Sequence, residues 1–245
     1  MNFSKTCFLF VAVVGLGHLS ITSALGQNPK TVRVKGGLDA REVMSYKDRY
    51  QFDQFTPGKV YFVSGELITG ALNYNFLTNQ IQFLDPNNDT LVVRDHGTVK
   101  MAAIGDSVYY RDKAFGYVQL VGDYGGVKLG RKIVMASIGS DKSVGYGQYV
   151  STGATDNFTS YVGANGQKTQ LAKNSATIFS RKTSYFYIDA NGRFYPANKG
   201  SLMKIYSKYR QPLLDYLDKN EVDYGNKESL KNLMKFSQEM QEATN

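Results

Sequence analysis

Between residues 58 and 128 the chain breaks into short apolar-rich runs at near-regular intervals, and this spacing limits the possible folds more than any other feature. The runs are 59–63, 67–76, 80–84, 90–94, 98–104, 107–110 and 115–121, with Gly, Asn and Asp gathered at the breaks. Short runs punctuated by turn residues predict an antiparallel meander of strands. In 67–76, Ile68, Leu72, Tyr74 and Phe76 share one face and Thr69, Asn73 and Asn75 the other, so one side is expected to pack and the other to be wet. Val99, Met101 and Ala103 oppose Thr98 and Lys100, whereas 115–121 is apolar on both faces. The later strands are therefore expected to be covered on both sides, in a sheet that curls into a roll, a sandwich or a partly open barrel.

The first residues follow a different pattern. Lys5 precedes an apolar run at 7–17 and small residues at 20–26, with Ala24 and Gly26 placing a cut before Gln27. This is the pattern of a secretory signal peptide, and its apolar run is well short of the ~20 residues that span a bilayer. No later run is apolar for long enough to cross a membrane as a helix. The one cysteine, Cys7, lies inside the signal, so the exported chain would carry no disulfide and no thiolate ligand. An exported chain without cysteine fits the periplasm or cell envelope of a Gram-negative bacterium, or secretion from one, where the sequons at Asn88 and Asn157 carry no glycan. The net charge is +8, and removal of the signal takes Lys5 and no acid. The partners expected of such a surface are an envelope protein or an anionic envelope glycan or lipid, and export argues against nucleic acid.

Four regions follow: a signal at 1–26, an N-terminal arm at 27–57, an antiparallel β domain at 58–198 and a helical tail at 199–245. The fold class is therefore mainly β with a C-terminal α portion of two or three short helices. In the arm, Val32, Val34 and Leu38 suit one strand, and 39–50 suits a short helix or an ordered arm. Asp85-Pro-Asn-Asn-Asp89 has the first spacings of a calcium loop but Thr90 and His96 where Gly and Glu are required, so it reads as a hairpin turn, as does Asp189-Ala-Asn-Gly192. Residues 139–166 are rich in Gly and Tyr and predict a long loop. Tyr146, Tyr149, Phe158 and Tyr161 would give it flat surfaces for a sugar or a partner, or would pack on the sheet. In the tail, Ser201 is placed to cap a helix carrying Leu202, Ile205 and Tyr209. Pro212 opens or kinks the next segment, 213–217, and Asn226 caps a last helix with the stripe Leu230, Leu233, Met234 and Met240.

Gly58-Lys-Val-Tyr-Phe-Val-Ser-Gly65, Leu72-Asn-Tyr-Asn75, Gln82-Phe-Leu84 and Val127-Lys-Leu129 are followed by the aromatic strand Tyr185-Phe-Tyr-Ile188. The tail then reads Lys199-Gly-Ser-Leu-Met-Lys204, Tyr216-Leu-Asp-Lys-Asn220 and Leu230-Lys-Asn-Leu233. Together these resemble a family of uncharacterised exported bacterial cell-envelope proteins, a β meander followed by a C-terminal helical tail. The resemblance implies export and fold, and it names no substrate.

Catalytic inventory is thin. His96 is the one histidine after the signal, no Gly-x-Ser-x-Gly elbow is present, and no phosphate or dinucleotide fingerprint precedes a helix. No cofactor and no metal are expected. The carboxylates Glu66, Asp106 and Asp123 all fall in predicted turns, which is a weak basis for the acid–base pair of a glycan hydrolase. The leading expectation is a non-enzymatic envelope protein that binds or assembles through a β-sheet face or edge. The alternatives are a carbohydrate-binding module using the loop tyrosines and a carboxylate-dependent glycan hydrolase.

Overall fold

The computed structural model describes residues 30–35, 38–93, 98–143, 149–152 and 175–243. Its strands are β1 (Thr31–Lys35), β2 (Thr56–Phe62), β3 (Leu67–Asn75), β4 (Gln80–Leu84), β5 (Thr90–Val92), β6 (Val99–Ile104), β7 (Ser107–Asp112), β8 (Gly116–Tyr124), β9 (Val127–Ser143), β10 (Tyr149–Thr152), β11 (Ser175–Ile188) and β12 (Phe194–Pro196). Two single-turn helices, α1 (Ala40–Val43) and α2 (Tyr46–Arg49), precede β2, and α3 (Lys199–Ile205), α4 (Arg210–Lys219) and α5 (Lys227–Glu242) close the chain. The fold is mainly antiparallel β with a C-terminal helical portion.

All twelve strands belong to one open sheet, in the order β1-β11-β9-β8-β7-β6-β2-β3-β4-β5, with β10 added on β9 and β12 on β11. The sheet curls without closing. Met135 of β9 donates its N–H to the Phe76 carbonyl just past β3, at 2.9 Å. The Tyr74 hydroxyl lies within hydrogen-bond distance of the Ile133 carbonyl (3.0 Å) and of Asn79 Oδ1 (2.7 Å). Tyr74, Phe76, Tyr109, Tyr117, Met135 and Phe179, from strands distant in sheet order, share one buried core inside this curl. A second core lies where α3, α4 and α5 cover the other end of the sheet, joining Leu129, Tyr185 and Tyr187 to Leu202, Leu213, Leu230, Leu233 and Met234.

The turns form for the reasons their sequences suggest. Asp85 Oδ1 accepts the N–H groups of Asn87 and Asp89 between β4 and β5, with Asn88 at φ 63°. Asp189 Oδ1 does the same for Asn191 and Arg193 between β11 and β12. Asn226 caps α5 by accepting from Glu228 and Ser229. The cap of α3 is Asn198 rather than Ser201. Asn198 has extended backbone and accepts the Ser201 N–H at 2.8 Å, so Ser201 lies in the first turn as a donor.

Three segments depart from their expected roles. The arm is stitched into the sheet, because β1 pairs along β11 from Thr31↔Ser180 to Lys35↔Ala176. The loop expected from residue 139 begins as strand: β9 continues to Ser143, and β10 pairs back on it from Tyr149↔Ser143 to Thr152↔Ser140. Within β3, Asn73 and Asn75 are buried although alternation put them on the wet face, and Ile68 is exposed although it was expected to pack. The arm explains the first of these, because Tyr50 and Phe52 lie against the Asn73–Asn75 end of β3. At the other end β3 outruns its cover.

Candidate functional site

Besides the outer edges of β1 and β5 that end the sheet, the hairpin of β2 and β3 carries a stretch of backbone with no strand partner among the described residues. Its register runs from Thr56↔Leu72 to Tyr61↔Leu67, and beyond it the Phe62 N–H donates to the Glu66 carbonyl at 3.0 Å. In an antiparallel ladder hydrogen-bonded and non-bonded pairs alternate, so Ile68 and Gly70 bond β2, while Leu67 and Thr69 aim their N–H and C=O groups away from it. The neighbour on that far side is β4, whose pairing runs from Asn75↔Gln80 to Leu72↔Phe83 and whose last residue, Leu84, falls opposite Ala71. Among the described residues, then, the edge at 67–70 faces no strand. The side chains there are uncharged, and Leu67 and Ile68 are each 47% exposed, with Val63 at the tip 70% exposed. An unpaired, apolar edge of this kind is a template for another strand.

Behind the edge lies a shallow trough of about 610 Å³ on the outer face of β6, β2 and β3, lined by Pro57, Lys59, Tyr61, Thr69, Ala71, Ala103 and Gly105. Lys59, Thr69 and Ala103 stand in one row across the three strands, and Tyr61, Leu67 and Met101 in the next. Small residues leave the floor low, and a strand added beside β3 would project alternate side chains on this same face.

The base of the hairpin is held rigidly. Asn73 accepts the Phe52 N–H at 3.1 Å, and its Nδ2 lies 2.9 Å from both the Phe52 carbonyl and the Tyr46 hydroxyl. Asn75 accepts the N–H groups of Leu77 and Thr78, and Gln82 Oε1 accepts from Tyr50 and Asn75. The Leu72-Asn-Tyr-Asn75 motif is thus a buried clamp that ties the arm to the end of β3, from which the tip projects.

Of the aromatics expected to form a binding surface, Tyr146, Phe158 and Tyr161 lie outside the described residues, as does His96. Tyr149 is the first residue of β10, where its backbone pairs with Ser143. The carboxylates are not assembled into a site. Glu66 is exposed at the β2–β3 turn, Asp106 lies in the β6–β7 turn at the opposite end of these strands, and Asp123 is ion-paired with Lys128 at 2.9 Å. Burial, reinforced by Arg111, holds the Lys132 ammonium below its usual range, but its Nζ is committed to the Phe115 carbonyl at 2.7 Å. No cluster of three or more potential metal ligands occurs among the described residues.

The sequence points to a sheet face or edge without saying which one, although a signal for this edge exists. The β3 run is nine residues and its partner β4 only five, so part of β3 must lack a neighbour on that side. Comparison with family models, with curated proteins and with solved structures found no match to this chain.

Proposed function

We propose that this chain is a non-enzymatic, exported component of the bacterial envelope that binds an extended partner segment by strand addition at the free edge of β3. The observation that carries the reading is the outward direction of the Leu67 and Thr69 backbone groups beside exposed Leu67 and Ile68. Main-chain bonds to such an edge supply affinity, and the trough behind it supplies side-chain selectivity. The signal at 1–26 supports export, and the clamp at Asn73 supports a preorganised edge that loses little entropy on binding.

The test is photo-cross-linking in native cells from a photoreactive residue at position 67, with the attached peptide sequenced. Repetition with Thr69→Pro removes one outward N–H and leaves the ladder to β2 intact. A discrete polypeptide segment captured at position 67 and lost in Thr69→Pro supports strand addition. Capture of glycan or lipid alone, or capture indifferent to Thr69→Pro, overturns it.

A further inference from the structure

We propose that the strand added at this edge is β3 of a second copy of the chain, paired antiparallel about a twofold axis at Ile68. The inference rests on the strand-addition reading and specifies its partner. Its basis is that the edge is complementary to itself. With Ile68 opposite Ile68 of the second copy, Leu67 faces Thr69 and Thr69 faces Leu67. All of these backbone groups point outward, so both pairs are hydrogen-bonded and the ladder gains four bonds. The central Ile68 pair is then a non-bonded one, with Cα atoms about 4.5 Å apart and side chains in direct contact on one face. That covers in each copy an isoleucine that the single chain leaves 47% exposed.

Other symmetric registers fit less well. An axis at Thr69 would set Gly65 against Asn73, where β4 already pairs with Gln82. With the axis at Ile68, the pairing is confined to the stretch before Ala71, and the incoming hairpin tip, with Gly65 at the level of Ala71, has to bend out of the sheet where Leu84 ends β4. Charge does not oppose the contact locally. The self-paired segment 67–69 is uncharged, Glu66 falls opposite Gly70 of the second copy rather than opposite another charge, and the two Lys59 side chains stand in different rows with three inter-strand spacings between them, about 14 Å. The net positive charge, +8 for the full chain and one less without Lys5, does oppose it at long range, so association should tighten as salt screens that repulsion. Attachment to an anionic surface would show the reverse salt dependence.

The absence of cysteine after Cys7 makes the test direct. Ile68→Cys is introduced into the chain from Gln27 onward, with Leu91→Cys on β5 as an exposed control on another edge. The Cα spacing of a non-bonded pair falls within the range a disulfide spans. We expect mild oxidation to convert Ile68→Cys to disulfide-linked dimer at least about tenfold faster than Leu91→Cys, as proximity requires. Light scattering should report a dimer for the unsubstituted chain, and a monomer for both Thr69→Pro and Ile68→Lys. Ile68→Lys alters an exposed side chain only, so a fold lost in Thr69→Pro does not remove the test. A monomer at every concentration, with equal oxidation rates for the two cysteines, overturns self-pairing. If the cellular cross-link at position 67 then still captures a foreign segment, strand addition stands with another partner; if it captures none, both readings fall.

Discussion

Asn73 shows how much of this fold depends on single buried polar groups. It is fully buried, and its amide meets the Phe52 N–H, the Phe52 carbonyl and the Tyr46 hydroxyl. In Asn73→Ala these partners lose their bonds away from water, at a cost of about 2–4 kcal/mol. A urea unfolding curve should show that loss, with an unchanged midpoint counting against the clamp. Tyrosines give a pH test at the same scale. Burial raises the phenols of Tyr74, Tyr109, Tyr117, Tyr187 and Tyr206, that of Tyr117 to about 12. A raised phenol favours the fold fully below its unfolded value near 10, and that contribution is lost as pH climbs toward the folded value. Above pH ~10 each such residue costs about 1.4 kcal/mol per pH unit. Phenolate absorbance should therefore rise in two steps, exposed tyrosines first and the buried set together with unfolding, whereas a single smooth step would contradict their burial.

At the scale of elements, the hairpin offers a paired comparison. A Cβ on Gly58 would lie 2.5 Å from the Ala103 carbonyl and 2.8 Å from Leu72 Cδ1, whereas one on Gly70, directly across the ladder, would meet nothing within 4 Å. Gly58→Ala should destabilise by about 1–3 kcal/mol through overpacking between β2 and β6. Gly70→Ala, in ordinary strand backbone, should be neutral or stabilise by up to about 1 kcal/mol by restricting the unfolded chain. Denaturation midpoints moving in the same direction by equal amounts would refute the description of the edge as open. The same hairpin shows what sequence can convey. Turn residues and alternation marked β2, β3, β4, β6 and the helices, because those signals are local. Coverage is not local: the burial of Asn73 depends on an arm some twenty residues earlier in the chain, and the exposure of Ile68 on the shortness of β4. Strand β10 was hidden for a related reason, since Gly-rich composition masks a pairing that only the partner strand reveals.

At the scale of the whole molecule, two cores share one set of strands. Strand β9 places Leu129 under the helices and Met135 in the curl, and β11 places Tyr187 and Phe179 likewise, paired with each other along their length. Separating the cores would require breaking these strands in the middle, where the ladder between β9 and β11 runs unbroken from Ser137↔Phe179 to Lys128↔Ile188. The helical layer should therefore unfold together with the curl. Leu233 of α5 is fully buried, and Leu233→Ala should cost about 2–5 kcal/mol by leaving a cavity. If the cores are coupled, that loss appears equally in the hydrogen exchange of β6 and β7 amides in the curl and in that of α5 itself, because both open through the same global event. Protection lost in α5 alone, with β6 and β7 unchanged, would mean that the helices dock on an independently stable sheet, and that the free edge of β3 does not depend on them.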